Sequence, residues 1–442
     1  MNRPIRFLAT ASVGAVSVAA LAGCGGTSGS AEGTIDYWLW DANQLPAYKQ
    51  CAEDFHKENP DITVKITQTA WDDYWSKLTN SMAAGTAPDV FTDHLAKFAD
   101  FVNSDQLMPI DTSDIDMTQY AEGLADLWVG QDGEQYGLPK DWDTVALFYN
   151  KKFAADAGLT DEQMSALTWN PEDGGTFEEA IARLTVDKNG VHGDEPGFDK
   201  DNVAVHGLGL NASGAGNGQT EWSYLTGTTD WTHTDENPWG THYNYDDERF
   251  QDTIAWWAGL VQKGYMPELE TTVGASMPDN FGAGKTAMTS DGSWSVGQYV
   301  GYKDVEVGIV PTPVGPNGKN ASMFNGLADG IWAGTDDKES AVKWVEYLAS
   351  AACQDVVGEH AVVFPAITSS TEKAKAAFAD KGIDITPFTQ HVDAGTTFLF
   401  PITDNAAKIQ GIMEPAMDAV VSGQADASTL SDANDQVNAL FE

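Results

Sequence analysis

Four tryptophans and a set of short polar side chains fall where predicted elements end: Trp40, Trp71, Trp222 and Trp294, with Asp41, Asp93, Asp143, Asp291, Asn211 and Asn325. Flat indole faces complement the C–H faces of a pyranose ring, and Asp and Asn supply the acceptors and donors that ring hydroxyls need. The chemistry this points to is non-covalent recognition of a sugar. His94 follows Asp93, and Lys140 opens the polar block Lys140-Asp141-Trp142-Asp143, which adds an imidazole and an ammonium to the candidates. The 15 tryptophans exceed what core packing alone calls for, so some are free for such work. Core packing is the plainer reading of any single one; the shared position at element ends favours binding.

Covalent and metal chemistry find no support in the residue pattern. A glycosidase needs two carboxylates about 5–10 Å apart, but 66 acidic residues make some such pair inevitable and the pattern uninformative. The chain has no Gly-x-Ser-x-Gly, His-Glu-x-x-His or Cys-x-x-Cys, and its eight histidines share no ligand spacing. No catalytic residue, metal or cofactor is expected. Asp187, Asn189 and Asp199 lie in a turn-rich acidic stretch, but their spacing departs from a twelve-residue calcium loop and no Glu closes it, so a solvated loop is expected. The glycine run at residues 208–218 lacks the Gly-Lys-Ser/Thr ending of a phosphate loop.

The elements that must position the candidates follow from periodicity. Residues 34–40 alternate apolar and polar as a strand, Leu45, Tyr48, Cys51 and Phe55 recur at helical spacing, and residues 62–69 alternate again. A helix over residues 71–84 ends at Gly85 and Pro88, and Val90-Phe91-Thr92 is a third strand. Strand–helix–strand–helix–strand predicts a parallel sheet, whose ligands sit beyond the carboxyl ends of the strands. That rule selects Trp40-Asp41, Ala70-Trp71 and Asp93-His94. Thr176 and Glu179 form a predicted capping box, Phe250, Ile254, Trp257 and Val261 a helical stripe, and residues 341–356 one long helix. Residues 286–288 form a short strand feeding the turn that carries Asp291 and Trp294.

Residues 136–153 read YGLPKDWDTVALFYNKKF: a turn, a polar block too charged for a core strand, then an apolar strand. Such a segment suits a crossing from one lobe to another. It resembles the first interlobe crossing of extracellular solute-binding proteins, in the maltodextrin-binding branch that serves ABC sugar importers. GTAPDVFTD at residues 85–93, GKTAMTSDGSW at 284–294 and NGLADGIWAGT at 325–335 are similar to that family in order and spacing. The resemblance implies an α/β, two-lobe periplasmic-binding-protein-like fold with discontinuous lobes joined by a three-segment hinge. It divides the chain into residues 34–141 and 327–362 for lobe 1, and 142–326 and 363–442 for lobe 2. It also implies Asp143 as an acidic sugar ligand, Trp294 as a stacking aromatic, and Asp93 and His94 as first-lobe contacts. Thr92-Asp93 stands where the maltodextrin pattern has an aromatic, which puts maltose itself in doubt.

A net charge of −42 argues against nucleic acid or an anionic membrane surface as a partner. Residues 1–23 carry Arg3 and Arg6 before an apolar stretch, the pattern of a signal peptide. Leu21-Ala22-Gly23-Cys24 resembles a bacterial lipobox, which implies a lipid anchor on Cys24, with residues 24–33 as a flexible tether. The expectation is therefore an extracytoplasmic, lipid-anchored monomer that binds an oligosaccharide and delivers it to ABC importer permease subunits. An extracellular glycan-active hydrolase or lyase and a binder of a non-sugar solute are the rival readings. Cys51 and Cys353 either pair or remain buried thiols.

Overall fold

The computed structural model describes residues 33–442; the expected signal segment, Cys24 and the tether up to residue 32 lie outside the described residues. Two sheets organise the chain. The first begins with β1 (Thr34–Leu39), β2 (Thr63–Gln68) and β3 (Val90–His94), with β1 parallel to both others. In β1 the alternation sends Ile35, Tyr37 and Leu39 into the core. Helix α1 (Leu45–Glu58) buries Ala47, Tyr48, Cys51 and Phe55 on one face. Helix α2 (Trp71–Ala84) stops at Gly85, whose φ of 69° is a left-handed cap that favours glycine. Helix α3 (Leu95–Asn103) follows β3 directly.

The polar block lies on β4 (Gly137–Asp143), still in the first sheet, while β5 (Val145–Asn150) belongs to the second. Only Thr144 separates them, and its hydroxyl donates to the Phe388 carbonyl at 2.9 Å. The second sheet comprises β6 (Val186–Asp187), β7 (Val203–Leu208), β8 (Thr286–Gly292), β5 and β9 (Val307–Val310), in that order. Strand β10 (Ser322–Ile331) then returns to the first sheet, antiparallel to both β3 and β4. The chain leaves again after β11 (Phe364–Pro365), which pairs with the end of β4. Near the C-terminus β12 (Thr397–Leu399) lies beside the start of β10. Two hydrophobic clusters form: the first covers the first sheet and continues onto one face of the second through Ala146 and Phe148 of β5, and the second packs the opposite face of β5, where the helix Ala406–Val421 contributes. That helix also meets α3: Lys97 Nζ donates to Gln410 Oε1 at 3.0 Å, and Asp100 Oδ2 accepts from the Ala407 amide at 2.9 Å.

Cys51 and Cys353 form a disulfide with Cα atoms 5.2 Å apart, joining α1 to the helix Ala351–His360 within the first core. Three local expectations change. The long helix over residues 341–356 is two, Lys338–Leu348 and Ala351–His360, broken where Ser350 turns extended and starts the second. The Thr176–Glu179 capping box does not form: the helix begins at Gly175 after a left-handed Gly174, and Thr176 Oγ1 instead accepts from the Thr168 amide at 2.8 Å. In the acidic stretch both Asp187 oxygens are taken by backbone amides, of Asn189 and Val191 on one and Asp199 on the other, which makes this acid a loop organiser.

Candidate functional site

The carboxyl ends of β1 and β3 and the amino end of α2 bring aromatic rings together. Trp40 lies edge-on to Trp71 at 5.1 Å between ring centroids, and Trp71 lies 5.4 Å from His94. Trp75, one helical turn beyond Trp71, closes the group at 5.3 Å from both tryptophans. Trp40, Trp71 and Trp75 are all half-buried, so each keeps ring surface for a partner. Phe400, on the segment after β12, faces His94 at 6.3 Å and lies 6.5 Å from His233 of the second core. The aromatic wall thus runs from one lobe toward the other.

Carboxylates line the adjoining strand ends. Asp93 Oδ1 accepts from the His94 amide at 2.8 Å, while Oδ2 is buried without a partner among the described residues. Burial pushes its pKa up to about 8, against the opposing backbone hydrogen bond. His94 Nδ1 accepts from the Ala96 amide at 3.1 Å, which assigns the proton of the neutral ring to Nε2, a buried donor with no partner in hydrogen-bond geometry. Burial lowers this imidazole to about 3, so it is neutral at physiological pH.

Asp143 ends β4 opposite Asn325 of β10, and its Oδ1 accepts from Ser293 Oγ at 2.5 Å. That hydrogen bond spans the two sheets, because Ser293 follows β8. Burial, then the neighbouring Asp141, hold Asp143 well above the usual carboxylate range. Asp291 is occupied at both oxygens, by the Gly292 amide at 2.7 Å and the Tyr299 hydroxyl at 2.9 Å, and burial raises it to about 6. Asp41, at the end of β1, accepts from the Asn43 amide at 2.7 Å, and burial raises it as well. Asn325 is buried with Oδ1 unpartnered, and Trp294 is half-buried against the first core.

Two expected site residues point elsewhere. Lys140 is the extra residue where β4 slips against β10: Asp141 pairs with Leu327 and Pro139 with Ala328. The bulge re-aims its side chain into the first core. There Nζ donates to Thr92 Oγ1 at 2.8 Å and Tyr37 OH at 3.1 Å, lies 4.0 Å from Asp329 Oδ1, and sits over the Tyr48 ring. Trp222 is 1% exposed in the second core, where its indole N–H donates to the Ala215 carbonyl at 2.8 Å and Phe250 and Trp231 flank it. Neither presents a face to the cleft. Asn211 lies just past β7, and its backbone amide reaches the carboxylate of Glu221. Glu221 is fully buried and pushed up to about 8 by that burial.

Several groups of this site escaped the sequence reading. Trp75 carried a signal, since i and i+4 on one helix share a face with Trp71. Asp141 lay in the polar block, two residues from Asp143. Glu221 was legible only as an acid next to Trp222, and Phe400 carried no local signal. A surface cleft of about 460 Å³ beside Asp246 and Asn434 holds none of these groups.

Residues 50–383 match the profile of the bacterial extracellular solute-binding proteins. The maltodextrin-binding protein MdxE of Bacillus subtilis is 26% identical over 88% of this chain and 85% of its own length. A lactose-binding protein of Rhizobium radiobacter is 32% identical, but over 31% of this chain and only 34% of its own length. Among solved structures, UspC of M. tuberculosis superposes with a TM-score of 0.69 at 26% identity, over 92% of this chain and 99% of its own. An ABC substrate-binding protein from Listeria monocytogenes in complex with cycloalternan reaches a TM-score of 0.78 at 19% identity, over 92% of this chain and 98% of that one, a likeness of fold.

Proposed function

The chain belongs to the bacterial extracellular solute-binding proteins, and from that premise we propose that it binds an oligosaccharide between its two lobes and delivers it to the permease of an ABC importer. The family is one of binding proteins, so the carboxylates act as hydrogen-bond acceptors for a ligand and not as an acid–base pair. One observation carries the reading. Half-buried indoles at Trp40, Trp71 and Trp75 gather about His94, next to Asp93, whose buried Oδ2 has no partner among the described residues. A saccharide brings both an apolar ring face for the indoles and a hydroxyl donor for that oxygen, and one without the other would leave half the site unsatisfied. MdxE and a maltooligosaccharide ABC transporter solute-binding lipoprotein of Streptococcus pneumoniae, named for glucose polymers, agree with that ligand class.

In this reading residues 34–141 with 327–362, and residues 142–326 with 363–442, close on each other about the three strand crossings. Trp40, Asp41, Trp71, Asp93, His94, Asp143, Asp291, Trp294 and Asn325 are proposed as ligand contacts. Cys24 would hold the protein to the outer face of the cell membrane after processing, with residues 24–33 as tether. A glycan array followed by calorimetry on the best hit tests the function. Saturable binding without turnover supports it; failure to bind any saccharide, or cleavage of one, overturns it.

A further inference from the structure

Strand β4 carries two carboxylates into the site, and the charges around them are arranged unusually for a neutral ligand. Asp141 is 0% exposed, and neither of its oxygens has a partner in hydrogen-bond geometry among the described residues, the buried Gln44 side chain being the polar group that faces it. The charges acting most strongly on Asp143 are Asp141, Asp41 and Asp291, every one a carboxylate. The cation that acts on Asp141 is Lys140, which opposes part of its desolvation, but the bulge in β4 has turned that ammonium onto Thr92, Tyr37 and Asp329. Two buried acids, Asp141 and Asp143, with the half-buried Asp41 beside them, therefore share a desolvated region whose one ammonium, Lys140, spends its hydrogen bonds on Thr92 and Tyr37.

A ligand hydroxyl answers this poorly. It brings one donor and two lone pairs, and ionised carboxylates accept only. An ammonium brings three donors, no acceptor and a compensating charge, and hydrogen bonds between ions are about twice as strong as neutral ones. Like charges held together out of water are costly unless neutralised. We propose that the cleft takes a saccharide bearing a protonated amine, with the ammonium seated against Asp141 and Asp143 and the rings on the Trp40–Trp71–Trp75 wall. The inference rests on the sugar-binding reading and narrows it from neutral oligosaccharides to amino sugars. The state of Asp141 agrees: burial raises it to about 7, the penalty a bound cation would relieve.

The test uses two ligand series at pH 7 and low salt, each differing in one substituent. One is cellotriose, the β-1,4-linked glucosamine trimer and the N-acetylglucosamine trimer. The other is maltotriose and its derivative with an amine replacing the non-reducing 4-hydroxyl. Calorimetry should show an amine-bearing member binding at least tenfold tighter than its hydroxyl counterpart. Added salt should weaken the amine and not the neutral sugar. In Asp141→Asn and Asp143→Asn the amine-to-hydroxyl affinity ratio should fall toward one. Both variants lose the capacity to ionise against an ammonium and keep the side-chain shape, and a thermal melt of each confirms folding. Amines that bind no tighter than hydroxyls, or a preference that survives both variants, would overturn the inference while leaving the sugar-binding reading intact. Failure of every member to bind would count against both.

Discussion

Asp93→Asn tests the physical basis of the site directly. In the folded chain burial pushes Asp93 from 3.8 up to about 8. The sign follows from linkage: a raised folded pKa means the fold binds a proton that the unfolded chain has released. The contribution is fully present below the unfolded pKa near 4 and is lost as pH rises through about 8. A shift of about four units corresponds to roughly 5–6 kcal/mol at most, and relaxation or entering water reduces it to a few kcal/mol. Asparagine keeps the acceptor for the His94 amide, and its neutral NH₂ replaces an oxygen that has no partner. An unsatisfied amide still costs about 1–3 kcal/mol.

The net expectation is that the variant is more stable than wild type by roughly 1–3 kcal/mol at pH 8, and close to it at pH 5. With an unfolding entropy of about 2.1 cal/mol/K per residue over roughly 400 folded residues, that is a rise in Tm of about 1–4 °C. Scanning calorimetry of both proteins at pH 5, 6, 7 and 8 reads it, and the difference cancels the general repulsion of an acidic surface. At about pH 9, where Asp93 is ionised, the same variant should bind saccharide more weakly than wild type by about 1–3 kcal/mol, because a charged acceptor is gone. A Tm gap independent of pH, or a variant less stable at pH 8, would refute the argument that Asp93 is an acid held against its own desolvation.

Trp71→Ala should weaken saccharide binding by roughly 1–3 kcal/mol with Tm little changed, since the ring is half-buried at a helix start; titration calorimetry beside a melt checks both. Asp329→Asn removes the carboxylate that faces the buried Lys140 ammonium and should cost about 3–5 kcal/mol in a denaturant melt, with Lys140→Met in the same background recovering part of it. Cys51→Ser opens a loop of 302 residues and should lower stability by up to roughly 5 kcal/mol. Denatured, unreduced protein beginning after Cys24 should show no reactive thiol, and two would refute the bridge.

What was legible in the sequence was whatever periodicity or a change of polarity could announce. The β1–α1–β2–α2–β3 alternation placed Trp40, Asp93 and His94 at strand ends, and those residues do gather there. The polar block announced the passage between sheets, which follows at Thr144, but the block itself lies in a fully buried strand of the first sheet, where Lys140 is satisfied by Thr92 and Tyr37 and Asp143 by Ser293. What could not be read was where a side chain turns once the strand is paired. Lys140 faces the core because the β4 register slips by one residue against β10, and pairing partners about 190 residues apart are invisible to local pattern. Trp222 sits after a glycine run as a cleft residue would, yet the short helix Ser223–Thr226 that it starts lies against Phe250 and Trp231. Phe400 reaches the site only because β12 lines up beside β10.

The position of the acids on β4 has a consequence for closure. Asp143 is the last residue of a first-sheet strand, but its hydrogen bond goes to Ser293 beyond a second-sheet strand. A ligand group that approaches Asp143 therefore meets both lobes through one side chain, at the place where the chain passes between them. Any group that satisfies Asp141 and Asp143 together stabilises the arrangement in which Asp143 and Ser293 are within hydrogen-bond reach. Differential affinity for the closed form is what a hinge requires of its ligand. In the proposed reading the crossing strand supplies it, because Asp143 stands one residue before the passage between the sheets.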